Sequence, residues 1–231
     1  LYNTKVEDFG CIQHSKYKFL GASPDGINID QTSTLYGRML EIKNVVNREI
    51  TGIPKKEYWI QTQLQMEVCD LDECDFLETK FVEYPDSETF FNDGTNDKTV
   101  KNELKGIIMY FNTTTGKPFY LYKPLNIVDY DEMNKWEEEM LDTYQGPDHN
   151  MIWITSHYWK LEKLSCVLVI RNKKWFQDNI GQIENIWNIV EKERVTGYEH
   201  RAPVKRVKKA IVNNNDLTSF KGCLINITKL H

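Results

Sequence analysis

Three stretches decide how this chain is read: Met39-Leu40-Glu41-Ile42-Lys43, then Tyr58-Trp59-Ile60-Gln61-Thr62-Gln63-Leu64-Gln65-Met66-Glu67, then Asp75-Phe76-Leu77-Glu78-Thr79-Lys80-Phe81-Val82-Glu83. The first is a strand within Leu35–Val46, entered through Tyr36-Gly37. The second lies in a helix-compatible run, Glu57 to Val68, with Pro54 just ahead of it, where proline suits the start of a helix. In the third, Phe76, Glu78, Lys80 and Val82 alternate with Leu77, Thr79 and Phe81, the period of a strand. Strand, helix and strand in sequence predict an α/β domain built on a central mixed sheet flanked by helices.

The flanks extend that frame. Phe9 to Ile29 is a short β-like region punctuated by Gly10, Gly21, Pro24 and Gly26, and it pairs with Leu35–Val46 as an expected hairpin. Pro85 to Lys105 is polar and acidic, with Asn92-Asp93-Gly94 and Asn96-Asp97 as turn signals, and is expected to be an inserted surface loop. Gly106–Phe111 and Phe119–Tyr122 form a second hairpin, Asp129–Tyr144 a helix, and Met151–Val169 further strands. Lys174–Arg194 is an amphipathic helix whose stripe of Trp175, Phe176, Ile180, Ile183, Ile186, Trp187 and Val190 is expected in the core.

Composition sets the outer bounds. With 231 residues, 40% hydrophobic and 27% charged, the chain has the makeup of a globular protein with one large domain, or one domain and an appendage. No window approaches the run of about 18 apolar residues that a membrane span needs. The opening residues lack a secretory pattern, and the chain does not begin with Met, which predicts a fragment or processed piece. Cys11, Cys69, Cys74, Cys166 and Cys223 are odd in number and contain no CxxC pair, against a disulfide framework or zinc ribbon. An intracellular compartment, cytoplasm or nucleus, is expected. Arg201 to Lys209 holds five basic residues and no acid, leaving 24 basic against 34 acidic residues elsewhere. A polyanionic partner therefore needs a local basic surface or a metal. Read in itself, the basic run is either a solvated tail or an arm that tracks phosphates.

The chemistry concentrates at Gly21-Ala22-Ser23-Pro24-Asp25-Gly26, followed sixteen residues after Asp25 by Glu41. On a strand Glu41 and Lys43 share a face, while Ile42 turns away. A hairpin that brings Asp25 alongside makes two carboxylates meet, which is unfavourable without a cation or proton. A hard divalent metal with oxygen ligands is the natural compensator, and the Ile42 carbonyl is a further oxygen for it. On the following helix Tyr58, Gln61 and Gln65 fall at i, i+3 and i+7, one polar, uncharged face. By spacing alone these residues read equally as a surface ion pair and a solvated glutamine stripe.

The combination Ser23-Pro24-Asp25-Gly26, Leu40-Glu41-Ile42-Lys43 and Tyr58-x-x-Gln61-x-Gln63-x-Gln65-Met66 resembles the YqaJ-like viral recombinases, the lambda exonuclease branch of the PD-(D/E)xK nucleases. The resemblance covers about Phe9 to Phe81 and is specific because three motifs occur in order. It implies a restriction-endonuclease-like core over residues 1–200, with motifs in 9–81 and an extension in 106–200, ahead of a partly irregular basic segment, 201–231. It implies Mg²⁺-dependent hydrolysis of DNA phosphodiesters, with Mn²⁺ as substitute. Metal would be held by Asp25, Glu41 and the Ile42 carbonyl, with Lys43 and Gln61 serving catalysis. Ser23, Tyr58, Gln65, Lys55 and Lys56 would contact DNA. The implied partners are duplex DNA with a free end, a single-strand annealing protein and further copies of the chain. An internal endonuclease and a DNA-binding or assembly module with impaired catalysis are the alternatives. The family also carries an acid on a helix upstream of the SPDG segment, whereas the 24 residues before Asp25 read as strand, and Glu7 lies in a β-like setting.

Other residues have ordinary readings beside functional ones. His14 precedes the SPDG turn and either faces the site or packs. Trp153, Tyr158 and Trp159 offer base-stacking surfaces but are expected in the core.

Overall fold

β5 (Met39–Asn44) and β6 (Glu73–Glu83) lie parallel, joined by α1 (Lys56–Cys69), because parallel neighbours require a crossover and a helix supplies it. Their register sets Glu41 opposite Phe76 and Lys43 opposite Glu78. α1 ends at Asp70, a left-handed residue (φ 53°, ψ 46°), where the Leu71 N–H bonds the Met66 carbonyl and closes the last turn. In this computed structural model residues 3–145, 149 and 151–203 are described; the chain forms two compact units, Leu1–Asn185 and Ile186–His231. Most of the basic run and Cys223 lie outside the described residues.

On the other edge of β5 sit β4 (Gly26–Asn28), antiparallel through Gly26 to Leu40 and Ile27 to Met39, and beyond it β1 (Val6–Glu7). Gly26 is needed for close approach, since a Cβ there would stand 2.3 Å from Val6 Cγ1. β2 (Ile12–Gln13) and β3 (Gly21–Ala22) make a separate two-stranded ladder. The sequence thus places the SPDG turn between two short strands, directly beside the strand that carries Glu41.

The sheet is completed by β7 (Lys105–Thr113), β8 (Pro118–Tyr122) and β9 (Met151–Ile170), in the order β1-β4-β5-β6-β9-β7-β8. The expected mixed sheet flanked by helices is what the chain forms. β9 pairs with β6 through residues 159–170 and with β7 through residues 151–160, so a single long strand ties the two halves together. Two cores result. Met39, Met66, Cys74, Phe76 and Val169 pack between β5, β6, β9 and α1, and burial pushes the Cys74 thiol far up. Tyr84, Phe90, Ile107 and Met133 form the other, with Met133 on α3 (Tyr130–Tyr144).

Two expectations need correction. Pro85–Lys105 is not simply an inserted surface loop. It contains α2 (Ser87–Asn92), capped by the Asp86 carboxylate on the Thr89 N–H, and it buries Phe90 completely. Lys105, also fully buried, donates to the carbonyls of Phe90 and Asp93, and burial lowers its pKa. Polar composition concealed a packed segment because one aromatic ring and one lysine anchor it. The apolar stripe of α4 (Lys173–Thr196) is also not core throughout: Phe176 is buried, whereas Ile186 and Val190 are exposed. Amphipathic spacing specifies a face and leaves open what meets it.

Candidate active site

Glu41 is the centre of the site. Its side chain is 2% exposed and accepts from Lys43 Nζ and, at 2.7 Å, from Gln61 Nε2 on Oε1. Gln65 Nε2 donates to Oε2 at 2.7 Å and stands 3.4 Å from the Ser23 carbonyl. Lys43 reaches Glu41 because the pleat puts both on one face, and the two glutamines reach it from one face of α1. Taking a carboxylate out of water is costly, and three nitrogen donors offset this, since hydrogen bonds to a charged group contribute about 1.5–3 kcal/mol each. The glutamine stripe therefore faces inward: Gln65 is buried and Gln61 half-buried.

Asp25, on the turn between β3 and β4, accepts the Ile42 backbone N–H at 2.6 Å through Oδ2. β4 pairs with β5 only at Met39 and Leu40, so beyond that point the strand edge is open and the Asp25 side chain takes over the next amide. The N–H and C=O of one strand residue project to the same edge. The Ile42 carbonyl therefore faces the side on which Asp25 sits, while its exposed side chain turns away. Asp25, Glu41, Ile42, Lys43, Gln61 and Gln65 are gathered in one place.

The remaining sequence candidates lie around this group. Ser23 is exposed and contributes its carbonyl; Lys55 and Lys56 are exposed at the start of α1. Tyr58 is half-buried, with Lys43 Nζ 5.4 Å from its ring centroid. His14 is elsewhere: its ring stacks on Phe176 at 6.0 Å, and its Nδ1 accepts the N–H groups of Lys16 and Tyr17. Tyr158 packs on Phe90 and Trp159 on Phe81, while Trp153 is partly exposed.

Two residues near the site escaped the sequence reading. Arg48 bonds Glu78, which is 1% exposed, and its guanidinium lies 5.4 Å from the Tyr58 centroid, on the ring that also meets Lys43. The bond to Glu78 raises the pKa of Arg48 above its already high ordinary value. The alternation of β6 contained the signal for Glu78, which shares a face with Phe76; nothing in the irregular stretch around Arg48 announced its role. Two buried acceptors, Gln65 Oε1 and Glu78 Oε2, have no partner among the described residues. Among those residues, no three His, Cys, Asp or Glu side chains gather as a metal cluster, and no helix is long and apolar enough to cross a membrane.

Comparison with known proteins follows the motifs. An uncharacterized protein of Acanthamoeba polyphaga mimivirus is 31% identical over 218 residues, covering 81% of this chain and 40% of that protein, so the chain spans less than half the length of this relative. Among solved structures, LHK-Exo in complex with dAMP aligns with TM-score 0.28 and 23% identity, over 61% of this chain and 54% of that one. A crystal structure of the alkaline exonuclease LHK-Exo from Laribacter hongkongensis gives TM-score 0.29 and 21% identity over 61% and 59%. The family model for the YqaJ-like viral recombinase domain matches residues 1–72, which include β1 to β5, α1 and every member of the Glu41 cluster. The resemblance carried by the three motifs is thus to the family whose model matches residues 1–72.

Proposed function

We propose that this chain is a metal-dependent DNA exonuclease of the lambda type, hydrolysing phosphodiester bonds of linear duplex DNA in recombination or in the processing of replication ends. The observation that carries this reading is the Glu41 cluster, a buried carboxylate met by Lys43, Gln61 and Gln65 beside the Asp25 turn.

A hard divalent cation suits the donor set. Asp25 commits Oδ2 to the Ile42 amide, Glu41 Oε2 accepts from Gln65, and the Ile42 carbonyl faces the same edge. The buried Gln65 Oε1 adds an acceptor without a donor among the described residues, one that a bound water would satisfy. Asp25, Glu41 and the Ile42 carbonyl would hold Mg²⁺, or Mn²⁺ in its place. When bound, the ion supplies Lewis-acid polarisation of a phosphoryl oxygen and a water of lowered pKa. The chain does the rest. Lys43 stabilises negative charge gathering on the phosphorus centre and positions the attacking water. Gln61 and Gln65 fix Glu41 without adding negative charge. Ser23, Tyr58, Lys55 and Lys56 contact the DNA.

Linear duplex labelled at its 5′ or 3′ end, incubated with and without Mg²⁺, tests the reading. Asp25→Ala and Lys43→Ala are expected to slow degradation by at least about a hundredfold, with both variants still unfolding cooperatively on heating. Wild-type rates in both variants would defeat it. Closed circular duplex is spared by an exonuclease and cut by the endonuclease alternative. A second reading, a DNA-binding or assembly module with impaired catalysis, is favoured by the presence of only two carboxylates, Asp25 and Glu41, in the site among the described residues. Salt-sensitive binding with no cleavage at any metal concentration marks that case. A single-strand annealing protein and further copies of the chain are the proposed partners of the active form.

A further inference from the structure

We infer that the cavity beside Lys43, built around Arg48, is a subsite for a backbone phosphate of the bound DNA strand, adjacent to the phosphate that is cleaved. The inference rests on the nuclease reading for its substrate, and the cavity shares Lys43 with the Glu41 cluster.

The cavity, about 320 Å³, is lined by Lys43, Asn44, Arg48, Lys55 and Tyr58 among others; three of its lining residues are cations and none is an acid. In a chain with net charge −5 this local excess is unusual, and it is what an anion requires. The carboxylates that balance it, Glu41 and Glu78, are 2% and 1% exposed and do not line the cavity.

Arg48 is held rigidly rather than left mobile. It bonds Glu78, donates to the Glu49 carbonyl at 3.2 Å and rests against Tyr58. Burying Glu78 for the sake of an ion pair alone contributes little, because the loss of hydration consumes most of the Coulomb gain. A pinned guanidinium that lines a cavity is instead a pre-oriented fork for phosphate oxygens. Lys43 and Arg48 each lie 5.4 Å from the same ring centroid, so the two cations are at most about 11 Å apart, a span that accommodates consecutive phosphates of one strand. Lys55 adds a second element. It is the extended cap residue of α1 and its side chain caps nothing, so the helix start presents N–H groups and positive dipole near the cavity that Lys55 lines.

The test is binding of short duplex DNA in EDTA, measured across a salt series. Lys55→Gln is expected to weaken binding and to lower the slope of log Kd against log salt by about 0.9, one lost phosphate contact. The double variant Arg48→Gln/Glu78→Gln removes the cation without stranding a buried carboxylate, and is expected to lower the slope likewise. Lys117→Gln on the β7–β8 turn leaves the slope at the wild-type value. Thermal melts check that each variant folds. Wild-type slopes in both Lys55→Gln and the double variant overturn the subsite, whatever the wild-type protein cuts. Reduced slopes support it even for a protein that cleaves nothing, in which case the nuclease reading alone falls.

Discussion

The two cores of the sheet differ in kind. Around β5, β6 and α1 the buried set includes Glu41, Gln63, Gln65 and Glu78 beside Met39, Met66 and Phe76. Around β7, α2 and α3 it is Tyr84, Phe90, Ile107 and Met133, and the buried charges there, Lys105 and Lys123, are spent on backbone carbonyls. Buried polar networks specify geometry while adding little net stability, whereas apolar burial stabilises at about 25 cal/mol per Å². The half that holds the site therefore depends on the half that does not, and β9, paired with both β6 and β7, is the mechanical link.

That contrast is best attacked with substitutions on each side. Phe90→Ala empties a completely buried ring position in the apolar core and is expected to lower unfolding free energy by about 3–5 kcal/mol, read by urea denaturation. The activity per folded molecule should stay near wild type. A loss below about 1 kcal/mol would mean that this core is not the stabilising half. On the polar side, Gln65→Met keeps most of the volume and removes the donor to Glu41 together with the unpartnered Oε1. Stability should move by no more than about 1.5 kcal/mol in either direction, while the cleavage rate falls roughly tenfold, the equivalent of 1.4 kcal/mol. A large drop in stability with unchanged cleavage would reverse the assignment of roles.

The smallest expected effect concerns pH. Asp93 accepts from the Tyr84 hydroxyl at 2.7 Å and from the Val100 N–H, and these bonds, Tyr84's first, hold its carboxyl below the ordinary value of 3.8. A carboxyl whose folded pKa is depressed contributes stability that is present above its unfolded pKa and is lost as pH falls through the folded one. Asp93→Asn should therefore be less stable than wild type at pH 7, with the gap closing below about pH 4. A gap that widens on acidification would show that the bond to Tyr84 is not the source.

Much of the site was legible in the residues themselves. Period-two spacing put Glu41 and Lys43 on one face, and the i, i+3, i+7 pattern put Tyr58, Gln61 and Gln65 on another, because both periods are properties of the backbone. The two faces meet, which spacing could not say. Phe90 was hidden in an acidic, turn-rich stretch, since a single buried ring has no periodicity to betray it. Arg48 was invisible for a related reason: it follows the end of β5 in an irregular segment, and its importance comes from Glu78, thirty residues away in sequence.

The sequence by itself determined the succession of strand, helix and strand, the pairing of an acid with an amine on one pleated face, and the family likeness of the three motifs. Tertiary structure alone decided that Asp25 closes the open edge of β5, that the glutamines turn inward onto Glu41, and that Arg48 is braced against Glu78 beside a cavity. The physical reason is range: backbone periodicity acts within one element, whereas hydrogen bonds and charge pairs between elements exist only after the chain has brought distant residues together.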